Sequence, residues 1–171
     1  MLNVFWQRLD SGARMILPFG TAILCTLLGV IAWPLPWFGT VAPPLALMAV
    51  YYWAIHRPDL FRPSMAFTIG LLHDAVNFLP LGLSALLFVA AHQVIFHQRR
   101  FFAGHSFFMM WFGFALTVFI VMGAEWGLQG LILWHALPVL PVLMECLLAV
   151  ILFPLPCWFL IKLQRAAFSL P

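Results

Sequence analysis

Long apolar runs alternate with short polar breaks along the whole chain. Six such runs can be followed, at 15–33, 38–56, 64–78, 83–97, 106–124 and 139–161. Because a spanning helix takes about 20 residues, the pattern predicts about six transmembrane helices. The third and fourth runs are short and predict spans that cross obliquely or incompletely. We expect one integral membrane domain over residues 1–171, built as an all-α polytopic helical bundle with no soluble domain.

The breaks between the runs predict short connections. The Trp-Pro-Leu-Pro-Trp segment at 33–37 predicts a turn, since prolines interrupt helices and tryptophans favour the membrane interface. Residues 1–14 mix charged and apolar side chains and predict a short amphipathic segment at the membrane surface. Residues 125–138, rich in Gly and Trp, predict a longer connection lying at the interface.

The composition supports a lipid environment for most of the chain. Hydrophobic residues make up 65% of the 171 positions, charged residues make up 8%, and the mean hydropathy is +1.06. A soluble domain carries roughly a quarter charged residues. The net charge of +3 does not indicate nucleic-acid binding, because the basic residues fall between apolar runs rather than on one soluble face.

The basic residues predict the orientation of the chain. All eight Lys and Arg lie in alternate breaks, as the pairs Arg8 and Arg14, Arg57 and Arg62, Arg99 and Arg100, and Lys162 and Arg165. Cytoplasmic loops carry an excess of basic residues. We therefore expect both termini in the cytoplasm.

Three acidic residues fall in or beside the apolar runs, namely Asp74, Glu125 and Glu145. A charged side chain at the bilayer centre costs about 2.5–3.5 kcal/mol on insertion scales. No Lys or Arg lies within the runs to neutralise these carboxyl groups. They are then protonated, hydrogen-bonded to nearby groups, or met by a donor from another protein.

Small and polar residues share one face of the third predicted helix. Ala66, Gly70, Asp74 and Asn77 follow one another at spacings of four, four and three, which places them on the same side of a helix. Small residues let a second helix approach closely, and polar residues fix its register. The pattern fits packing within this chain or contact with a partner or ligand, and the sequence leaves both open.

The other two carboxyl groups are also open to more than one interpretation. Glu125 lies between Gly123 and Gly127, a weak helix-packing signal, and it could instead reach the headgroups. Glu145 lies near the start of the last helix, where a carboxylate suits the helix N-terminus.

No arrangement of residues indicates catalysis. The six histidines include no pair at the i, i+4 spacing of a helical zinc site, and no serine or cysteine has an evident partner base. We therefore expect no metal site, no cofactor and no enzymatic activity.

The middle of the chain resembles the bacterial rod shape-determining protein MreD family. Gly70, Asp74, Leu81 and Gly82 fill the family's G-x-x-x-D pattern and the Leu-Gly that follows a turn, and Glu125 matches a glutamate late in the fifth helix. The segments that carry the resemblance, which extends over roughly residues 15–165, are 31–34, 47–58 and 66–86. Residues 126–138 and Glu145 do not match the family pattern.

The resemblance implies a protein of the bacterial inner membrane that acts as a non-enzymatic scaffold in the machinery that elongates the lateral cell wall. The implied partners are the bitopic membrane protein MreC and, through the complex, the MreB filament and the peptidoglycan polymerase and transpeptidase. The resemblance also implies a fold like that of the substrate-binding subunits of energy-coupling-factor transporters. The alternative function is therefore a small-molecule-binding transporter subunit, whose cavity would be lined by Asp74, Asn77, Glu125, Trp126 and Glu145.

Overall fold

The computed structural model describes most of the chain. The described residues are 2–30, 33–35, 39–103, 107–134 and 138–168. Their side chains are described over 16–30, 42–99, 107–134 and 138–165.

Helices make up nearly all of the described structure. They are α1 (Leu2–Gly29), α2 (Leu45–His56), α3 (Pro63–Val76), α4 (Leu83–Ala103), α5 (Phe107–Leu133), α6 (Val139–Leu152) and α7 (Pro154–Phe168). Two three-residue strands, β1 (Trp33–Leu35) and β2 (Gly39–Val41), pair antiparallel between α1 and α2. The helical fold class is confirmed, with this hairpin where the sequence predicts a turn.

Helix α2 forms the centre of the bundle. Residues 46–55 are all buried, and the helix contacts α1, α3, α4, α5 and α7. A helix that is apolar on every side is typical of such a central position. The Tyr51 hydroxyl donates to the carbonyl oxygen of Met110 at 2.9 Å, and the Tyr52 hydroxyl donates to Oε1 of Gln164 at 2.8 Å. These bonds join α2 to α5 and α7 and leave no buried hydroxyl without a partner in this part of the core.

Helix α5 presents most of its apolar surface to the outside. In its most hydropathic stretch only 28% of the residues are buried, whereas the core helix of a soluble protein is mostly buried. Leu116 and Ile120 of α5, Ile16 of α1 and Ile151 of α6 are further exposed apolar side chains. An exposed apolar surface of this extent is typical of a protein that faces lipid.

By length and composition, α5 can cross a membrane by itself. Helices α6 and α7, which meet at an angle of 44°, pass the same test when they are taken as one broken span. Ile16–Gly29 and Leu45–His56 are shorter apolar helices. The described helices thus give one or two clear spans, and the count of six stays a prediction.

The predicted connection at residues 125–138 is wrong, and the last predicted span contains a bend. Residues 125–133 continue α5 instead of forming an interfacial connection, because their Gly, Leu and Gln residues do not prevent a helix already anchored at its buried face. The last predicted span is two helices that meet at Phe153. Pro154 follows that break, and a proline interrupts the helical hydrogen-bond ladder.

Candidate functional site

Asp74 joins the end of α3 to the start of α4. Its side chain is completely buried. Oδ2 accepts a hydrogen bond from the backbone N–H of Gly82 at 2.8 Å, and Oδ1 accepts one from the backbone N–H of Ser84 at 3.0 Å. The first N–H groups of a helix have no partner within the helix, and a carboxylate satisfies them and complements the helix dipole. Asp74 is therefore an N-terminal cap for α4 that is supplied by the preceding helix.

Gly70 lies one turn before Asp74, where α3 and α4 touch through their backbones. A Cβ atom at Gly70 would overlap the Cα of Ala85, and it would lie 2.7 Å from the Ala85 nitrogen and 2.9 Å from the Ser84 carbonyl carbon. No side chain fits there without moving one helix. Ala66 is also buried on this face. The small-residue face of α3 thus lies against α4, and contact of the same face with another protein stays a prediction.

The turn between α3 and α4 depends on local backbone conformation. Gly82 has a φ of +99°, a conformation that glycine adopts without strain. Phe78 has a φ of 56°, and its side chain is almost fully exposed. The backbone carbonyl of Asp74 accepts a hydrogen bond from the Leu79 N–H at 2.9 Å. The turn carries Leu81 outward, where its side chain is exposed.

Asn77 lies apart from the Asp74 carboxylate. Its backbone ends α3, its side-chain nitrogen donates to the carbonyl oxygen of His73 at 2.9 Å, and the same nitrogen lies 3.1 Å from the His73 ring Nδ1. The residue is exposed. Helical spacing places Asn77 near the predicted face, but the helix ends there, and its side chain bonds back to α3.

Ser84 connects the buried carboxyl groups of α3 and α5. Its N–H donates to Asp74, and its Oγ donates to Oε1 of Glu125 at 3.3 Å. Nε2 of Gln129 donates to the same oxygen at 3.3 Å. Glu125 is only 7% exposed. Neither Ser84 nor Gln129 is among the site residues predicted from the sequence. A serine at a helix start carries a capping signal, but its bond to Glu125 could not be seen in the sequence.

A cavity of about 300 Å³ opens between these elements. We call it the acidic cavity, and its lining residues are Thr26, Gly29, 42–46, His73, Asn77, Leu79, Met122, Glu125, Trp126, Gln129, Pro138, Pro141, Val142 and Glu145. The Glu145 carboxyl group lies near the backbone N–H of Ala42. The structure therefore brings four of the five predicted cavity residues together. Asp74 does not line the cavity, because its carboxylate is turned towards the N-terminus of α4.

A second concavity lies on the other side of the α3–α4 turn. Its volume is about 430 Å³, and we call it the apolar groove. It is lined by Phe67, residues 80–83, Leu86 and Ile132. Leu81 and Gly82 of the predicted motif therefore line the groove. The hydrogen bond from the Gly82 N–H to Asp74 fixes the position of this part of the lining.

The described residues do not place three or more His, Cys, Asp or Glu side chains around a common point where a metal ion could bind. The two glutamates of the acidic cavity come from α5 and α6. Their surroundings are amides, prolines and a tryptophan. The chemistry that this arrangement offers is hydrogen bonding and charge pairing.

Comparison with known proteins identified one family. The family model described as rod shape-determining protein MreD matches residues 11–163. Neither the curated proteins nor the solved structures gave a match to the chain.

Proposed function

The chain belongs to the rod shape-determining protein MreD family, and on that premise we propose that it is a membrane scaffold of the cell-wall elongation machinery. Members of this family are shape-determining membrane proteins, and the family is not known to contain enzymes. The proposed role is to bind the membrane helix of MreC and so to link it to peptidoglycan synthesis, with the MreB filament and the polymerase and transpeptidase associated through the complex. The observation that carries the proposal is the family match over nearly the whole chain.

The proposed topology has six spans, with both termini on the cytoplasmic side of the inner membrane. Two basic residues fall at each cytoplasmic position, for example Arg57 and Arg62 between α2 and α3. The α3–α4 turn and the α5–α6 connection then lie at the outer face. The six proposed spans are α1, α2, α3, α4, α5 and the bent pair α6–α7. The exposed apolar side chains of the bundle support a lipid environment.

Reporter fusions test this topology. A reporter enzyme that is active only outside the inner membrane should give no signal when it is fused after Pro171. The same enzyme fused after Pro80, within the α3–α4 turn, should be active, since the basic loops stay in the cytoplasm. Strong activity of the fusion at Pro171 contradicts the topology, and the fusion at Pro80 shows that the reporter folds in this setting.

We further propose that the apolar groove receives the helix of MreC. The exposed side chains of Leu81, Leu86 and Ile132 form its surface, and Gly82 leaves room for a second backbone. In lipid, helices associate through close packing rather than through the hydrophobic effect, so a shallow apolar depression that already exists on the surface favours binding. Under this proposal Leu81 and Gly82, on which the family resemblance rests, contact the MreC helix directly.

Filling the groove should prevent this contact. We expect Leu86→Trp or Ile132→Trp to lower the capture of MreC at least about tenfold, equivalent to 1.4 kcal/mol, while the protein accumulates normally. Both side chains already point outwards, so the larger ring does not disturb the core. The measurement is co-purification from detergent-solubilised membranes at matched protein levels.

The control for the groove is Ile151→Trp, which places the same ring on the exposed surface of α6. It should leave the capture of MreC unchanged. If the groove variants captured as much MreC as this control, the groove would not be the MreC-binding surface. The family assignment would be unaffected by that result.

The alternative function, a small-molecule-binding transporter subunit, is not favoured. The family to which the chain belongs is shape-determining. Depletion separates the two functions. Rounded cells support the scaffold, whereas a nutrient requirement in cells of normal shape supports transport.

A further inference from the structure

The acidic cavity is built from five separate parts of the chain. Its lining includes Thr26 and Gly29 of α1, residues 42–46 at the start of α2, His73 of α3, Glu125 and Gln129 of α5, and four residues between 138 and 145 at the start of α6. Its volume of about 300 Å³ lies at the lower end of the range of small-molecule sites, which is about 300–1,000 Å³. A space of this size fits a small ligand or one inserted side chain.

The formally charged residues that line the acidic cavity are all acidic. Glu125 and Glu145 both line the cavity, and the described lining residues include His73 but no Lys or Arg. The chain has eight Lys and Arg, and all of them lie outside the stretches that line it. Two carboxyl groups in a partly closed space repel one another when both are ionised, and a bound cation relieves that repulsion.

Within the described residues, only one oxygen of the Glu125 carboxyl group, Oε1, accepts hydrogen bonds. Both of its side-chain donors, Ser84 Oγ and Gln129 Nε2, reach Oε1 at 3.3 Å. Within the described residues no donor reaches Oε2, although only 7% of the Glu125 surface is exposed. Because Oε2 is not fully enclosed and Glu125 lines the cavity, a donor on a ligand in the cavity can reach this oxygen.

The other lining groups suit an organic cation better than a bare metal ion. Trp126 lies beside Glu125 in the lining, and indole faces attract ammonium and guanidinium groups. Pro138, Pro141 and Val142 supply apolar surface for an alkyl stem. A guanidinium carries five N–H donors in a planar fork that matches carboxylate oxygens.

We propose that the acidic cavity binds one positively charged nitrogen group, an ammonium or a guanidinium, on a short apolar stem. Glu125 and Glu145 pair with the charge, and the proline and valine side chains contact the stem. The group belongs either to a free small molecule or to a basic side chain of a bound protein. The proposal goes beyond the scaffold role and holds for the isolated chain.

The test uses purified full-length protein in detergent, with butylguanidinium as the probe and butylurea as its neutral isostere. Butylguanidinium at millimolar concentration should raise the midpoint of thermal unfolding by at least about 2 °C, and butylurea should not. Glu125→Gln and Glu145→Gln should each weaken binding of the cation about tenfold or more. Asp59→Asn, which alters an exposed carboxylate in the loop before α3, should have no effect.

A second variant separates loss of the site from loss of the fold. Val142→Phe fills the cavity without changing any charge, and it should abolish the response to butylguanidinium in a protein that still unfolds cooperatively. Equal responses to the two probes, no response to either, or an unchanged response in all three cavity variants would overturn the proposal.

The source of the cation is decided by repeating the titration on the complex with MreC, an arm that rests on the proposed function. If a basic side chain of MreC fills the cavity, the complex should not respond to butylguanidinium. If the natural ligand is a free amine or guanidine, the complex should respond as the isolated chain does. Both results support a cation site, and neither depends on whether the apolar groove binds the MreC helix.

Discussion

Gly70→Ala is expected to cost the protein at least about 3 kcal/mol of folding free energy, at the upper end of overpacking effects. The added methyl group would overlap the Cα of Ala85 and lie 2.7 Å from its nitrogen. These are backbone atoms, so no rotamer change can relieve the overlap. Helices α3 and α4 must separate, and the Asp74 bonds to the Gly82 and Ser84 N–H groups must lengthen with them. The measurement is the midpoint of thermal unfolding in detergent, together with the amount of protein in the membrane.

Gly123→Ala is the matched control for this substitution. It makes the same chemical change in α5, where a Cβ atom would meet nothing within 4 Å. The stability of this variant should be about unchanged, since alanine favours a helix more than glycine does. If Gly70→Ala were as stable as Gly123→Ala, the close approach of α3 to α4 would be wrong.

Replacing Asp74 should show a graded loss of stability. Asp74→Ala leaves the N–H groups of Gly82 and Ser84 without their acceptors, and we expect a loss of about 2–4 kcal/mol. Asp74→Asn keeps one acceptor oxygen but turns an NH₂ group towards the second N–H. Its expected loss is about 1–2 kcal/mol. The measurement is thermal unfolding of the purified variants, compared with capture of MreC at matched protein levels.

Asp59→Asn provides the control for the change in charge, because Asp59 is exposed and paired only loosely with Arg57 at 3.7 Å. This variant should be as stable as the unchanged protein. The same experiment separates the two roles considered for Asp74. Unchanged stability of Asp74→Asn with reduced capture of MreC would show that the carboxylate meets a donor on the partner, and would contradict its role as the cap of α4.

The Asp74 cap links the two concave surfaces of the bundle. On one side it holds Gly82, which lines the apolar groove. On the other side it holds Ser84, which donates to Glu125 in the lining of the acidic cavity. Three hydrogen bonds and the first turn of α4 therefore join the two surfaces. This arrangement gives the Gly-x-x-x-Asp motif a structural reason to precede the Leu-Gly turn.

Several features of the protein follow from the sequence alone, because they depend on local pattern. The apolar runs predict the helical class, since a segment in lipid must satisfy its backbone hydrogen bonds internally. The order of Gly70, Asp74, Leu81 and Gly82 is local as well, and it indicates the family that the comparison confirms. The spacing of Gly70 and Asp74 also places them on a common helix face. The alternation of basic breaks predicts the orientation, which the reporter fusions are designed to test.

Other features were decided by contacts between residues far apart in the chain. The sequence could not show that Asp74 caps α4, because the cap depends on how the turn folds back. It could not show that α5 continues past Glu125, because Gly and Trp are compatible both with an interface loop and with a helix packed on its neighbours. Ser84 and Gln129 meet Glu125 only when α4 and α5 pack together. The cavity exists for the same reason, since the space between helices is a property of their packing and no single helix encodes it.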